Sequence, residues 1–320
     1  MKVLVTGGAG FIGSHVCEAL LNKGDSVLCI DNFNDFYNPQ IKKENIQNLN
    51  KNFILYEKDI RDYGELKKIF EENKIDGVVH LAAMAGVRQS AANPFLYTDV
   101  NIRGTLNMLE LSRDFDVKNF IFSSSSSVYG VNKQLPFCET DRLDSIISFY
   151  GITKRAGEQL CKLYHDIHGL NVTCLRLFTV YGPRNRPDMA AYKFAKAIDS
   201  GKELTMYGDG TSKRDFTYIS DVASAILMAL EKSLKFEIIN IGNSKTVELK
   251  YFISLFERYL GKKAKIKQLP PQPGDVPATY ADISKARRLL GYEPKTNVEQ
   301  GVKNLVEWYE NEGFNSAPHI

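Results

Sequence analysis

Short apolar runs recur along the first half of the chain, and stretches with helical spacing follow them. Lys2–Thr6, Ser26–Ile30, Phe53–Glu57 and Gly77–Leu81 read as strands, and Phe11–Asn22 as the first crossover helix. Longer helical patterns cover about Pro94–Phe115 and Ser148–His168, with strands expected at Asn119–Ser123 and Val172–Leu177. Strands that are apolar throughout, joined by crossover helices, predict a parallel sheet covered on both faces. After Gly182 the rhythm changes. Helices are expected near Met189–Ser200, Asp221–Glu231, Leu249–Leu260 and Val298–Tyr309, with short extended pieces at Leu204–Tyr207 and Ala264–Gln268. Pro270–Pro277 should be loop, since proline can continue neither ladder. Phe236–Ile241 is expected to return to the first sheet, so the two regions should interleave.

Composition narrows the class. The formal charge is only +3 on 320 residues, and basic and acidic side chains are interspersed, so no stripe suits a nucleic acid. No apolar run approaches the roughly 20 residues of a spanning helix, and the opening strand and turn leave no room for a signal peptide. Cys17, Cys29, Cys138, Cys161 and Cys174 are odd in number and form no CxxC pair, which argues against a disulfide framework and for core packing. His165 and His168 lie three apart on an expected helix, but nothing nearby completes a ligand set, so no metal is expected. A cytoplasmic globular protein fits these features, with no membrane and no nucleic-acid partner.

The first chemical signal is GGAGFIG, which places Gly7, Gly10 and Gly13 between a strand and a helix. The first glycine permits a sharp turn, the second lets backbone approach a pyrophosphate, and the third lets the helix pack closely. Unpaired amides at the helix start then meet the phosphates. Asp31, at the end of the next strand, suits the hydroxyls of an adenine ribose and would repel a 2′-phosphate, which points to NAD over NADP. The competing reading makes Asp31 the start of a polar turn with Asn32 and Asn34. Asp59 and Ile60, just beyond the third strand, could touch the adenine or simply build a loop. The expected architecture is α/β: residues 1–180 form a doubly wound, parallel-sheet NAD-binding domain with returning segments near 213–245. Residues 181–212 and 246–320 mainly build a smaller, mixed substrate domain.

The second signal is Tyr150 and Lys154 in FYGITKRAGE, four apart on a helix and therefore on one face. A phenol near pKa 10 is a poor base at neutral pH, and a nearby ammonium favours the phenolate. Lys154 is thus expected to turn Tyr150 into a general base. The serine run Ser123–Ser127 ends a strand whose carboxyl end should open on the same crevice, where a hydroxyl could orient a substrate oxygen.

Taken together, TGGAGFIG, HLAAMAGVRQS, SSSSSVYG, YGITK, LRLFTVYGP and RDFTYISDV closely resemble the extended short-chain dehydrogenase/reductase family, specifically its nucleotide-sugar epimerases, from Val3 to about Tyr309. Within it, DNFNDFYNPQIK (Asp31–Lys42), AGVRQS (Ala85–Ser90) and NRPDMA (Asn185–Ala190) look most like the group that interconverts UDP-glucuronate and UDP-galacturonate. The resemblance implies tightly bound NAD, a UDP-sugar substrate, a homodimer through the long helices containing Asn101 and Tyr150, and C4 epimerisation through a 4-keto sugar. It makes Tyr150 the base, Lys154 its electrostatic partner and ribose ligand, and Ser125 and Ser127 the holders of the sugar 4-oxygen. It assigns the cofactor to Gly7, Gly10, Phe11, Ile12, Gly13, Asp31, Asn32, Asp59, Ile60, Leu81, Ala82 and Ala83, together with Tyr150 and Lys154. Substrate contacts fall to Arg88, to Thr179 and Arg186 near the sugar carboxylate, to Arg214 at the diphosphate and to Asp275 at the uridine ribose.

Two departures stand out: Met84 where relatives often carry Gln, and YGITK for the commoner YAATK. No Asp–Glu pair lies between the serine run and Val128, and such acids serve water elimination in the related dehydratases, so simple redox epimerisation is favoured. Epimerisation of UDP-glucose or UDP-N-acetylglucosamine is the nearest alternative. A non-catalytic NAD-sensing protein is the alternative of another class, and it would need neither the Tyr–Lys pair nor the serines.

Overall fold

The computed structural model describes residues 1–49, 52–270 and 276–311. Its centre is a seven-stranded, wholly parallel sheet built from β1 (Lys2–Thr6), β2 (Ser26–Asp31), β3 (Phe53–Glu57), β4 (Gly77–His80), β5 (Asn119–Ser125), β6 (Val172–Leu177) and β11 (Phe236–Ile241). Across the sheet the order is β3-β2-β1-β4-β5-β6-β11. Strand order therefore reverses between β1 and β4, and the crevice beyond their carboxyl ends is where a doubly wound sheet receives its ligand.

The apolar strands explain the layering. Val3 and Val5 of β1 point to one face and Leu4 to the other, and all three are fully buried. Helices α1 (Phe11–Asn22) and α9 (Ile219–Glu231) cover the first face; α3 (Tyr63–Glu72), α6 (Gly104–Asp114) and α7 (Phe149–His168) cover the second. Within this sheet the edge strand β3 leaves large apolar side chains open, at Ile54 and Leu55.

The remaining strands are short: β7 (Thr179–Tyr181) pairs with β10 (Phe216–Tyr218), β8 (Glu203–Tyr207) with β13 (Lys265–Leu269), and β9 (Lys213–Arg214) with both β12 (Val247–Glu248) and β14 (Ala278–Thr279). Helices α8 (Ala190–Asp199), α10 (Leu249–Leu260) and α12 (Val298–Asn311) pack around them through aromatic contacts, with Phe216 stacked on Phe252 at 3.8 Å. This region shares its core with the α1–α9 face of the sheet, so no boundary in the packing separates the two.

Several elements differ from expectation. Strand β5 runs on to Ser125, two residues beyond the expected end, because Ser124 and Ser125 still pair with Arg176 and Leu177. The expected long helix over 94–115 is broken into α5 (Pro94–Thr98), a π-helical turn at Asp99–Arg103, and α6. That wider turn carries Asn101, whose buried amide grips the backbone of Met84 from both sides. Helices α2 (Pro39–Ile46) and α3 went unnamed in the sequence reading, although Asn38 and Asp62 cap them by accepting from Gln40 N and Glu65 N.

Candidate active site

The turn after β1 is made of backbone in close contact. Gly7 has φ +69°, and a Cβ there would stand 2.8 Å from Ala82 N. A Cβ on Gly13 would meet Gly7 O at 2.1 Å, so a side chain there would force the turn open. Gly10 begins α1 without a side-chain cap, and the amides of Phe11, Ile12 and Gly13 have no partner within the helix. These are the groups an anion takes at a helix start. Leu81, Ala82 and Ala83 run beside the turn, tied to Thr6 through Leu81 N and Ala82 N.

Asp31 starts a polar turn and also faces the glycine turn. Its Oδ1 accepts from Phe33 N at 3.0 Å, and Asn32 and Asn34 repeat the same two-residue bond, so a polar turn is present. Its Oδ2 accepts from Ala9 N in the glycine turn at 3.3 Å, which fixes the carboxylate beside the cradle. Lys42 stands 3.5 Å from Oδ1 and also donates to Asn34 O, a buried partner the sequence reading overlooked. Asp59 is held by Arg61 and by Asn32 Nδ2, and the Arg61 hydrogen bonds bring its carboxyl down to about 2. Ile60 turns its side chain into the core against Gly104.

Across the crevice, Ser148 caps α7 by accepting from Gly151 N, which places Tyr150 and Lys154 on one face one turn apart. Lys154 is buried and donates to Ser123 O at 2.7 Å; its ammonium lies 5.9 Å from the centre of the Tyr150 ring. Burial lowers the Lys154 pKa to about 8. The Tyr150 phenol is raised by its own burial, against a hydrogen bond from Ser125 and the charge of Arg186. The Lys154 ammonium thus spends a hydrogen bond on the Ser123 carbonyl while it stays beside the Tyr150 ring. Ser125 and Ser127 stand with their hydroxyls 3.1 Å apart, and Ser125 Oγ also accepts from Ser127 N.

Beneath these serines lies a network that motif reading missed. Arg176 forks onto Glu158 at 2.8 and 2.9 Å, and both side chains are buried. Glu158 also accepts from Ser124 and Arg155, while Arg176 reaches Tyr129, which donates to Asn240. Burial opposes the Glu158 charge, but Arg176 with Ser124 and Arg155 outweighs it and holds the carboxyl below its ordinary value. The spacing Tyr150, Lys154, Glu158 was available as a signal: three polar residues on one stripe of a helix facing a sheet. His80, which bridges Thr6 and Thr105, is likewise buried, and burial lowers its pKa to about 3. Asn101 also reaches Thr153 Oγ1, and this braces α7 against the Met84 backbone.

The loop after β7 closes the other side. His15 of α1 meets Pro183 O at 3.0 Å and Glu18 pairs with Arg184, so the loop is fastened to the helix that follows the glycine turn. Arg186 lies over the Phe36 ring and forks onto Asp188 at 2.9 and 2.7 Å. Thr179 is anchored through its backbone to Asp215, a buried carboxylate that also receives Asn243 N, Ser244 N and Ala281 N. Tyr150, Lys154, Ser125, Ser127 and Arg186 thus form one neighbourhood. Arg88 stacks on Tyr207, and Arg214 sits in β9, both on the side of the short strands. Asp275 lies outside the described residues.

Residues 3–242 match the NAD dependent epimerase/dehydratase family. The chain belongs to that family. A UDP-glucuronate 4-epimerase of Thermodesulfobacterium geofontis is 46% identical over 308 residues, covering 95% of each chain. Among solved structures, the UDP-glucuronic acid 4-epimerase of Bacillus cereus in complex with UDP-glucuronic acid and NAD superposes with a TM-score of 0.91 at 41% identity, covering 97% of this chain and 99% of that one. A UDP-glucose 4-epimerase from Thermotoga maritima, with UDP-glucose, follows at 0.89 and 36% identity, with the same coverage.

For a member of the NAD dependent epimerase/dehydratase family the cradle is apt. A glycine turn closed to any Cβ, amides free at the start of α1 and an oriented Asp31 carboxylate suit the pyrophosphate and ribose of NAD, the family's cofactor. No described helix is long and apolar enough to cross a membrane. Among the described residues no three His, Cys, Asp or Glu side chains gather to hold a metal ion.

Proposed function

We propose that this NAD-dependent UDP-sugar 4-epimerase acts on uronates and interconverts UDP-glucuronate and UDP-galacturonate. Arg186 carries the reading: a largely enclosed guanidinium in the neighbourhood of Tyr150 is a natural partner for a carboxylate on C5 of a sugar whose C4 reacts. Tyr150 takes the proton of the 4-hydroxyl, and Ser125 and Ser127 hold that oxygen. NAD, when bound, supplies a reversible acceptor for the hydrogen on C4, stays tightly held between turnovers and leaves no net redox change. Lys154 would hold the nicotinamide ribose, and its charge favours the Tyr150 phenolate. Arg214 is assigned the nucleotide diphosphate, Asp275 the uridine ribose, and Arg88 a further substrate contact. The sugar, with the nucleotide end as its fixed tether, turns to present its other face to the same tyrosine.

Thr179 and Arg186 also keep the carboxylate out of the alignment needed to lose carbon dioxide, a hazard for any 4-keto uronate. The neutral-hexose reading draws support from the likeness to the Thermotoga maritima protein but gives Arg186 no substrate carboxylate to meet. A comparison of UDP-glucuronate, UDP-glucose and UDP-N-acetylglucosamine turnover in wild type and Arg186→Ala separates the two. The uronate should be preferred, and the substitution should lower its kcat/KM by at least about tenfold while moving the neutral sugars little. Equal losses on all three would overturn the assignment.

The assembly is proposed as a homodimer. Phe95, Phe149, Ile152, Leu163 and Ile167 are exposed on α5 and α7, and the proposed helix pairing would cover them. All five cysteines are free thiols, as a cytoplasmic location allows.

A further inference from the structure

The guanidinium that the uronate reading requires is already engaged. Arg186 gives Nε and Nη2 to the two carboxylate oxygens of Asp188, the strongest geometry the pair can adopt. Both side chains are about 20% exposed, so solvent screens the pair only in part. The Phe36 ring, 5.5 Å from the guanidinium carbon, supports one face of the plane. Of five N–H groups two are spent, and Nη1 has no partner among the described residues. Fork and ring together fix the plane, and an anion is left the Nη1 edge.

We propose that Asp188 is a specificity-determining residue that sets the strength of carboxylate recognition by Arg186; this rests on the uronate reading given above. Arg186 and Asp188 form a neutral unit, so the pocket meets a uronate with an oriented donor edge and little net charge. That suits an epimerase. A bare buried arginine would grip the carboxylate too firmly and oppose the ring turnover that each cycle requires, because binding shared equally by resting and reacting states does not speed the reaction. Asp188 is two residues from Arg186 in the same loop, so its position follows wherever that loop carries the guanidinium.

The test compares wild type, Asp188→Asn, Asp188→Ser, Asp188→Glu and Arg186→Ala, with dissociation constants and steady-state kinetics for UDP-glucuronate and UDP-glucose. Both neutral replacements should bind UDP-glucuronate roughly tenfold more tightly and turn it over more slowly, with KM and kcat falling together. Their UDP-glucose constants should stay within about twofold of wild type, and Asp188→Glu should restore the wild-type ratio. Weaker binding of both sugars by a common factor, or an unchanged ratio, would overturn the role of Asp188. So would loss of folded protein in both neutral variants, since Asp188 would then be a structural anchor. Should wild type show no uronate preference and Arg186→Ala leave the ratio unmoved, the uronate reading itself falls.

Discussion

At Gly7 and Gly13 backbone meets backbone at distances that leave no room for a Cβ, whereas around Arg186 the defining contacts are made by long side chains meeting one another. The first arrangement is rigid and chemically general, since amides and a helix start serve any pyrophosphate. The second is adjustable, since one carboxylate at Asp188 or one ring at Phe36 changes what Arg186 offers. An epimerase that retains its cofactor, as proposed above, is served by this division. The stretch His15–Glu18 of α1 fastens the two regions together at Pro183 and Arg184.

Tyr150 stands where the regions meet, and Tyr150→Phe should separate them. Turnover should fall by about a thousandfold or more, while NAD and UDP-glucuronate binding, read by calorimetry, stay within a few-fold of wild type. Near-normal turnover would remove the proton chemistry from this residue. Gly13→Val should strike the backbone-built side alone. With Cβ forced against Gly7 O, NAD affinity should drop at least a hundredfold, on the order of 3 kcal/mol, and UDP binding should change little. An unaltered NAD affinity would mean the turn does not seat the pyrophosphate.

The smallest effect concerns Lys154. Its folded pKa of about 8 lies below the ordinary 10.5, so the unfolded chain binds more protons between those values. Stability of the cofactor-free protein should therefore rise from pH 8 towards 10.5 through this group, and its cost is fully present below pH 8. Lys154→Met removes the titration. The urea midpoint of the variant relative to wild type should be steady below pH 8 and shift in favour of wild type above it. A pH-independent difference would show that burial does not perturb the ammonium.

The same contrast explains what the sequence disclosed. A backbone-built turn demands glycine at fixed spacing, and a parallel sheet demands apolar strands between helices, so β1, α1, β2, Asp31 and the return of β11 were legible. Tyr150 and Lys154 were legible because a helix converts a four-residue spacing into a shared face. Their electrostatics were not, since spacing says nothing of Ser123 O, the acceptor that holds Lys154. Long-range side-chain partners leave no local pattern either. Arg176 with Glu158, Lys42 with Asp31, and the inward turn of Asn101 became visible only in three dimensions. The break in the helix over 94–115 was hidden for the same reason, since its inward Asn101 answers a backbone segment 17 residues away.

The decisive measurement follows the hydrogen on C4. UDP-glucuronate carrying deuterium at that carbon should yield, by NMR, UDP-galacturonate with inverted C4 that retains its deuterium, with no carbon dioxide released and no NADH left over. Deuterium lost to water, an uninverted product or a decarboxylated sugar would contradict a Tyr150-driven oxidation and return at a single carbon.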